Sequence, residues 1–375
     1  MAHAYTPGLR VAKKAVIRKK RILPLKGNVL KKVGESVKRS DIVAQTNLPG
    51  NVLTINVVNR LGIMPNEISQ YMLKKVGETF QKDEVLAESK SFIKWFRTKI
   101  TAPITGSVET ISPVTGQVLL REPPQPVEVD AYLNGKVVEV IPTEGVVVET
   151  VATFIQGIFG IGGETCGILK FAVNSPSEIL KMDKITAEFK DAVIVGGAFA
   201  SYETIKKAIS VGAKGLIVGG IRDGDLREIL GYDLGVAITG TEKMGITLVL
   251  TEGFGEVTMA DRTYNALKFR EGSIASISGA TQIRAGVIRP EIIIPYDDLS
   301  QESLSAEGGE AQSVKIGDSI RVIRQPYFGK IGIVKALPSE LQKIESETKA
   351  RVLEVTFPDG KTAVIPRANI ELIQE

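Results

Sequence analysis

The chain has 375 residues, a formal net charge of +4, and 43% hydrophobic and 24% charged residues, the make-up of a globular protein of roughly two to four domains. One cysteine (Cys166) and one histidine (His3) exclude an internal disulfide framework, a His-based zinc site and a Ser-His-Asp triad. The N-terminal residues lack the apolar stretch of a secretion signal, and no run approaches the roughly 18 apolar residues of a membrane helix. A cytoplasmic protein with no transmembrane segment is therefore expected.

The first 32 residues are basic. Ten Lys or Arg lie between Arg10 and Lys32, and the first acidic residue is Glu35. Residues 1–21, with the cluster Arg18, Lys19, Lys20 and Arg21, read as a basic arm. Such an arm is suited to nucleic acid or to peripheral contact with an anionic membrane, and equally reads as a flexible, solvated tail.

Residues 22–173 read as a strand-rich domain built on an internal repeat. Leu30 to Ala44 returns as Leu73 to Ala87 with seven of fifteen positions identical, each copy reading as strand, Gly-Glu turn and strand. A second phrase, Gly-x-Val-x-x-Ile/Val, begins at Gly50, Gly106 and Gly135. Its glycines are expected in left-handed or tight-turn conformation, starting short antiparallel strands. One helical signal stands within this region, Pro65 to Met72. Gly157 to Gly167 lacks the lysine of a phosphate loop and the third glycine of a dinucleotide fingerprint, so it reads as a bend or strand crossing.

Val76 to Glu88 followed by Ala102 to Val108 resembles the biotinyl/lipoyl-like barrel-sandwich hybrid, and is similar to domains of the cytoplasmic subunits of sodium-pumping and Rnf-type electron-transport complexes. That resemblance implies two small packed sheets and a hairpin bearing a modified lysine. The tip here, Ser89 to Lys99, departs from the carrier motif. Lys90 is its nearest lysine, and a scaffold with no cofactor is expected. Trp95-Phe96 reads as either a contact patch or core.

Residues 174–295 change period. Asn174 to Glu178 signals a helix start. Aliphatic runs at 191–196, 215–218, 236–239 and 246–250 alternate with helices at 201–210, 223–230 and 259–270, which predicts a parallel sheet in an α/β domain. Ligands bind beyond the carboxyl ends of such strands. Gly219, Gly220, Thr239, Glu242, Glu252 and Arg284 are therefore ligand-binding candidates, with Glu242 and Glu252 as an acid and base if they share a pocket and Arg289 as a further anion contact. Short strand-to-helix turns demand such Gly, Thr and acidic residues in any case.

Residues 296–312 are acidic and nearly free of large apolar residues, a linker. In residues 313–375, Gly317 to Val334 resembles a KOW motif, and Arg351 to Phe357, Asp359-Gly360 and Thr362 to Ile365 complete an SH3-like barrel. KOW modules occur in NusG-type transcription factors and ribosomal proteins. The resemblance implies RNA or protein contact through Arg321, Arg324, Tyr327, Phe328 and Lys330. Ten basic against eight acidic residues in this module make its electrostatic footprint small.

The expected fold is a multidomain α+β chain: an N-terminal all-β barrel-sandwich hybrid, a central α/β parallel-sheet domain and a C-terminal KOW barrel. The expected function is non-catalytic binding or assembly, engaging a nucleic acid or large complex through the basic arm and the KOW barrel, with RNA, a ribonucleoprotein or other proteins as partners and no cofactor or metal. Two alternatives stand: an accessory subunit of a membrane-associated redox assembly, and a small-ligand enzyme using the α/β domain.

Overall fold

The structure is a computed structural model, and it describes residues 9–90, 97–231, 244–281, 288–296, 314–322, 326–327, 329–338, 342–343 and 349–372. The fold is mostly β with few helices. Residues 297–313, which hold nearly all of the expected linker, lie outside the described residues.

The basic N-terminal run is a strand rather than a tail. β1 (Val11–Ile22) lies antiparallel to β5 (Gly145–Gln156) from Val11 opposite Ile155 to Ile22 opposite Gly145. Aliphatic residues make this possible: Ala12 and Ile17 are buried, while Lys13, Arg18 and Lys20 face outward. Two other strands pair across a gap of more than seventy residues, β2 (Ile42–Leu48) with β3 (Gln125–Asp130). β4 (Gly135–Ile141) then pairs with β5.

Everything between β2 and β3 forms a unit with its own core. Ile55, Val57, Ile68, Phe80, Leu86, Ile100, Val108 and Leu120 pack together there. The chain enters and leaves through a narrow neck, where Glu122 N donates to Asn51 O at 3.0 Å and Asn51 Nδ2 to Glu122 Oε2 at 2.8 Å. The outer unit has a separate core of Ile17, Val37, Val43, Leu133, Val137, Val146 and Ile293. The two repeats thus sit in two nested units rather than side by side in one domain. The expected helix at 65–72 is a 3-10 segment, Pro65–Gln70.

The two recurrent phrases pair with each other. Ser36 and Val37 of the first repeat lie opposite Lys136 and Gly135, and Thr79 and Phe80 of the second lie opposite Ser107 and Gly106. In both repeats the turn glycine has a positive φ, +91° at Gly34 and +86° at Gly77. The next residue, Glu35 or Glu78, closes the turn by accepting the amide of Lys32 or Lys75 at 2.6 and 2.9 Å. Val37 and Phe80, Val43 and Leu86, and Ala44 and Ala87 are all buried, which explains why these pairs stay small or apolar.

The glycines of the Gly-x-Val phrase correct the expectation placed on them. Gly50, Gly106 and Gly135 do not have positive φ. They are glycine because the neighbouring backbone is too close: a Cβ would stand 2.1 Å from Glu122 O at Gly50, 2.1 Å from Arg121 O at Gly106 and 2.3 Å from Glu149 O at Gly135.

The α/β part joins the same sheet. β6 (Glu164–Phe171), β7 (Ala192–Val195), β8 (Gly215–Ile221) and β9 (Thr247–Phe254) are parallel neighbours. β10 (Ile274–Ser278) and β11 (Glu291–Pro295) continue it antiparallel from β6 to β5. The resulting thirteen-stranded sheet runs across residue 173, so the domain boundary expected there does not divide the sheet. β6 lies before that boundary, yet it is the first parallel strand. The glycine run turns between Phe159–Ile161 and β6 through Gly162 and Gly163, the bend its composition predicts.

Helices α1 (Tyr202–Val211), α2 (Asp223–Leu230) and α3 (Asp261–Phe269) stand close to their predicted places. Ser201 caps α1, and Gly212 ends it in left-handed conformation. No helix starts at Asn174 to Glu178. Glu178 folds back to accept the Asn174 amide at 2.8 Å, and Pro176 O accepts from Met259, which ties the segment to tertiary partners. The expected strand at 236–239 lies outside the described residues.

The C-terminal strands are β12 (Ser319–Val322), β13 (Ile331–Ala336), β14 (Val352–Thr356), β15 (Thr362–Pro366) and β16 (Ile370–Leu372). They form an antiparallel sheet in the order β15-β14-β13-β12-β16 over a core of Ile320, Val322, Val334, Leu353, Val355, Phe357, Ile365 and Ile370.

Close backbone contact at Gly106 makes a direct prediction. Gly106→Ala lowers stability by about 1–3 kcal/mol, with faster hydrogen exchange confined to Gly106–Ile111 and Gln117–Arg121. Glu78→Gln, which leaves the backbone in place and weakens one turn bond, costs about 0.5–1.5 kcal/mol. Urea midpoints of the two variants check the order.

Candidate functional site at the carboxyl ends of the parallel strands

In an open α/β sheet the carboxyl ends of the strands are the place to look for a ligand. Here those ends are filled by the chain itself. A Cβ at Gly219 would stand 2.1 Å from Val257 O, and one at Gly220 would stand 2.3 Å from Gly255 O. Both candidate glycines are thus required by the crossing of the segment after β9. The C-terminal sheet closes over the next strand end: a Cβ on Gly253 would lie 2.5 Å from Gly329 O, and one on Gly329 would lie 2.5 Å from the Phe254 ring.

Two candidates from separate modules meet at this junction. Arg321 on β12 donates through Nη2 to Glu252 Oε2 on β9 at 2.7 Å. Arg321 is 2% exposed and Glu252 5%. The second oxygen of Glu252, Oε1, accepts the Ala260 amide at 3.1 Å, just before α3. Glu252 therefore anchors a helix start and a second module, and is held by structural donors rather than facing an open pocket as acid or base. Arg321 is corrected likewise: a buried guanidinium is not a surface contact for nucleic acid. Burial lowers its pKa, and Glu252 offsets part of that effect. Arg289, half-buried nearby, has its pKa lowered to about 10 by burial and by the charge of Arg321.

The basic strand shows the same internal use of charge. Arg18 pairs with Glu149 at 2.6 Å, Lys19 with Glu291 at 2.5 Å, and Arg21 with Glu164 at 2.8 Å and Asp130 at 3.0 Å. Lys20 is exposed. Neither β6 nor β11 is hydrogen-bonded to β1, so the pairs to Glu164 and Glu291 fasten the sheet where it folds back on itself. Beneath them lies Tyr132, with a φ of +63° and a buried hydroxyl that has no hydrogen-bond partner. The Arg21 guanidinium stacks 5.1 Å from its ring centroid. Burial pushes the Tyr132 pKa well up, and the nearby carboxylates of Glu291 and Glu164 add to this. Burial also raises the pKa of Glu291, against the pull of Lys19. Sequence reasoning missed Tyr132, Glu164 and Glu291, since nothing local marks a partner more than a hundred residues away.

On the C-terminal sheet, half-buried Tyr327 and exposed Lys330 remain at the surface, with Lys330 Nζ 5.7 Å from the Tyr327 ring centroid and 5.5 Å from that of Phe357. Lys90 Nζ lies 5.2 Å from the Tyr71 ring centroid and donates to Gln70 at 3.3 Å. Arg324, Phe328, Thr239, Glu242, Arg284, Trp95 and Phe96 lie outside the described residues. Among the described residues, no group of three or more His, Cys, Asp or Glu is placed to hold a metal, and no helix is long and apolar enough to cross a membrane.

A scan against protein-family models finds no match, and a search of the curated proteins finds no relative.

Breaking one side of the buried pair leaves the other charge stranded. Arg321→Met or Glu252→Gln is expected to cost about 3–5 kcal/mol, and the double variant to recover part of that loss. Hydrogen exchange at Thr247–Phe254 and Ser319–Val322 checks where the loss falls. The raised pKa of Glu291 means that its contribution to stability is complete below the ordinary carboxylate range and is lost as pH rises through the raised folded value. Glu291→Gln should therefore flatten the fall of the urea midpoint as pH rises above the ordinary carboxylate range.

Proposed function

We propose that this chain is a non-catalytic binding or assembly protein. The observation that carries this reading is that Arg18, Lys19, Arg21, Glu252 and Arg321 are joined to partners within the chain, across segments, rather than gathered around an opening. Residues that could grip a polyanion or move a proton instead hold strands and modules together.

The modules have the character of such a protein. Pairing of each repeated hairpin with a Gly-x-Val strand, in two nested units with separate cores, supports the barrel-sandwich reading of the N-terminal part as a scaffold. Antiparallel order β15-β14-β13-β12-β16, with the turn at Asp359-Gly360 where φ is +77°, supports the SH3-like KOW reading of the C-terminal part. The contact surface shifts accordingly. It is centred on Tyr327 and Lys330, where a basic group lies against aromatic faces, an arrangement suited to unpaired RNA bases or to a protein partner. Of the basic strand, only exposed members such as Lys20 are available to a partner.

Filter binding of the full chain to single-stranded RNA over a salt series tests the nucleic-acid form of the proposal. Affinity should fall steeply between about 50 and 200 mM salt. Lys330→Glu should weaken binding and shallow the salt slope by about one unit. No retention at low salt, or retention that ignores salt, removes RNA as the partner.

A further inference from the structure

The Gly-x-Val phrase occurs three times, but the repeated hairpin occurs only twice. In the copies at Gly106 and Gly135 the valine is bonded in the same way. Val108 O accepts the Gly77 amide at 2.7 Å, and Val108 N donates to Glu78 O at 3.0 Å. Val137 O accepts the Gly34 amide at 2.8 Å, and Val137 N donates to Glu35 O at 2.8 Å. Each hairpin thus docks by its turn, the glycine giving an N–H and the glutamate a carbonyl. Val52 is the corresponding residue of the Gly50 copy, and neither hairpin meets it.

The outer edge of the strand Val52–Asn56 is open. This strand ends its sheet and pairs with Gln117–Arg121 alone. Glu122 N donates to Asn51 O, and antiparallel bonding alternates from one residue to the next. Leu53 and Ile55 therefore bond inward, while the N–H and C=O of Val52 and Thr54 point away from the sheet. Among the described residues no backbone group bonds them there. Val52 and Leu53, on opposite faces of the strand, are 45% and 39% exposed.

Other sheet margins are protected against added strands by charge or proline. Of the described strands of four or more residues that end a sheet, β1 carries lysines and arginines, β3 carries Pro126 and Glu128, Val85–Glu88 ends in a glutamate and β15 in Pro366. Val52–Asn56 has no charge and no proline, and its pairing runs without a bulge. A free edge of this kind takes an extended segment as a further strand. The chain itself shows twice which segment suits the phrase. A second copy cannot supply it, because its Gly34 and Gly77 turns are already held by Val137 and Val108.

We propose that Val52–Asn56 is a docking edge for a β-hairpin of a partner protein that carries a Gly-Glu turn. Val52 O accepts the amide of the turn glycine, and Val52 N donates to the carbonyl of the turn glutamate. This edge is separate from Tyr327 and Lys330, so the result of RNA binding does not bear on it.

A peptide of residues 29–44, closed by a disulfide between added terminal cysteines, is the probe; Val29 and Ala44 are opposed in the fold. Isothermal titration into the full chain should show saturable binding. N-methylglycine in place of Gly34 in the peptide removes only the N–H, and should weaken binding at least about tenfold. Val52→Pro in the full chain removes the outward N–H and no ladder bond, and should weaken it as much. If Val52→Pro loosens the fold, hydrogen exchange of the unaltered chain decides: with peptide the Val52 and Thr54 amides should slow, while Leu53 and Ile55, already bonded, keep their rates. Absence of saturable binding, equal affinity for the two peptides, or protection that falls elsewhere overturns the proposal. So does a dimer in sedimentation that Val52→Pro dissociates, which assigns the edge to a second copy.

Discussion

A single buried ion pair sets how the C-terminal part of this molecule is held. Glu252 and Arg321 lie on strands of different sheets, separated by 69 positions in the chain. Two charges leave water to form the contact, so it persists only while both are present and well oriented. Its geometry fixes more than two side chains. Through Oε1 the same carboxylate holds the amide before α3, and the backbones of Gly253 and Gly329 meet alongside it. Removing side chains at those two positions lets the modules approach closely enough for the carboxylate and guanidinium to bond directly.

The N-terminal half follows the same rule by other means. There the charges are only partly buried, and their worth lies in position more than in energy. Pairs from Lys19 to Glu291 and from Arg21 to Glu164 connect strands that share no hydrogen bonds. They hold the curl of the sheet over the core that contains Ile17, Val146 and Ile293. Tyr132, with its positive φ and unpartnered hydroxyl, sits under this seam. Strain of that kind persists only where surrounding structure over-determines it, which the converging strands β1, β6 and β11 provide.

Local features were legible in the sequence. The repeat, its Gly-Glu turns, the parallel strands at 192–195, 215–221 and 247–254 and their helices follow from periodicity and turn chemistry. What escaped was every feature decided by distant partners. The basic strand reads as an arm because its lysines and arginines dominate its composition, while Glu149, Glu164 and Glu291 are far along the chain. A bulge between Ala12 and Ala15 also breaks its alternation. Gly106 and Gly135 read as turn residues because glycine has two uses, conformational freedom and close approach, and sequence does not separate them. From the sequence, Glu252 reads as a ligand-binding candidate and Arg321 as a nucleic-acid or partner contact. Their bond to each other was not visible, because it depends on how two modules dock.

Hydrogen exchange on the unaltered full chain tests that docking most directly. The amides of Leu250–Phe254 and Ile320–Val322 should exchange slowly and with closely matched opening free energies, since the ion pair makes the two strands open together. If Ile320–Val322 exchange orders of magnitude faster than Leu250–Phe254, the modules open independently and the buried pair does not unite them.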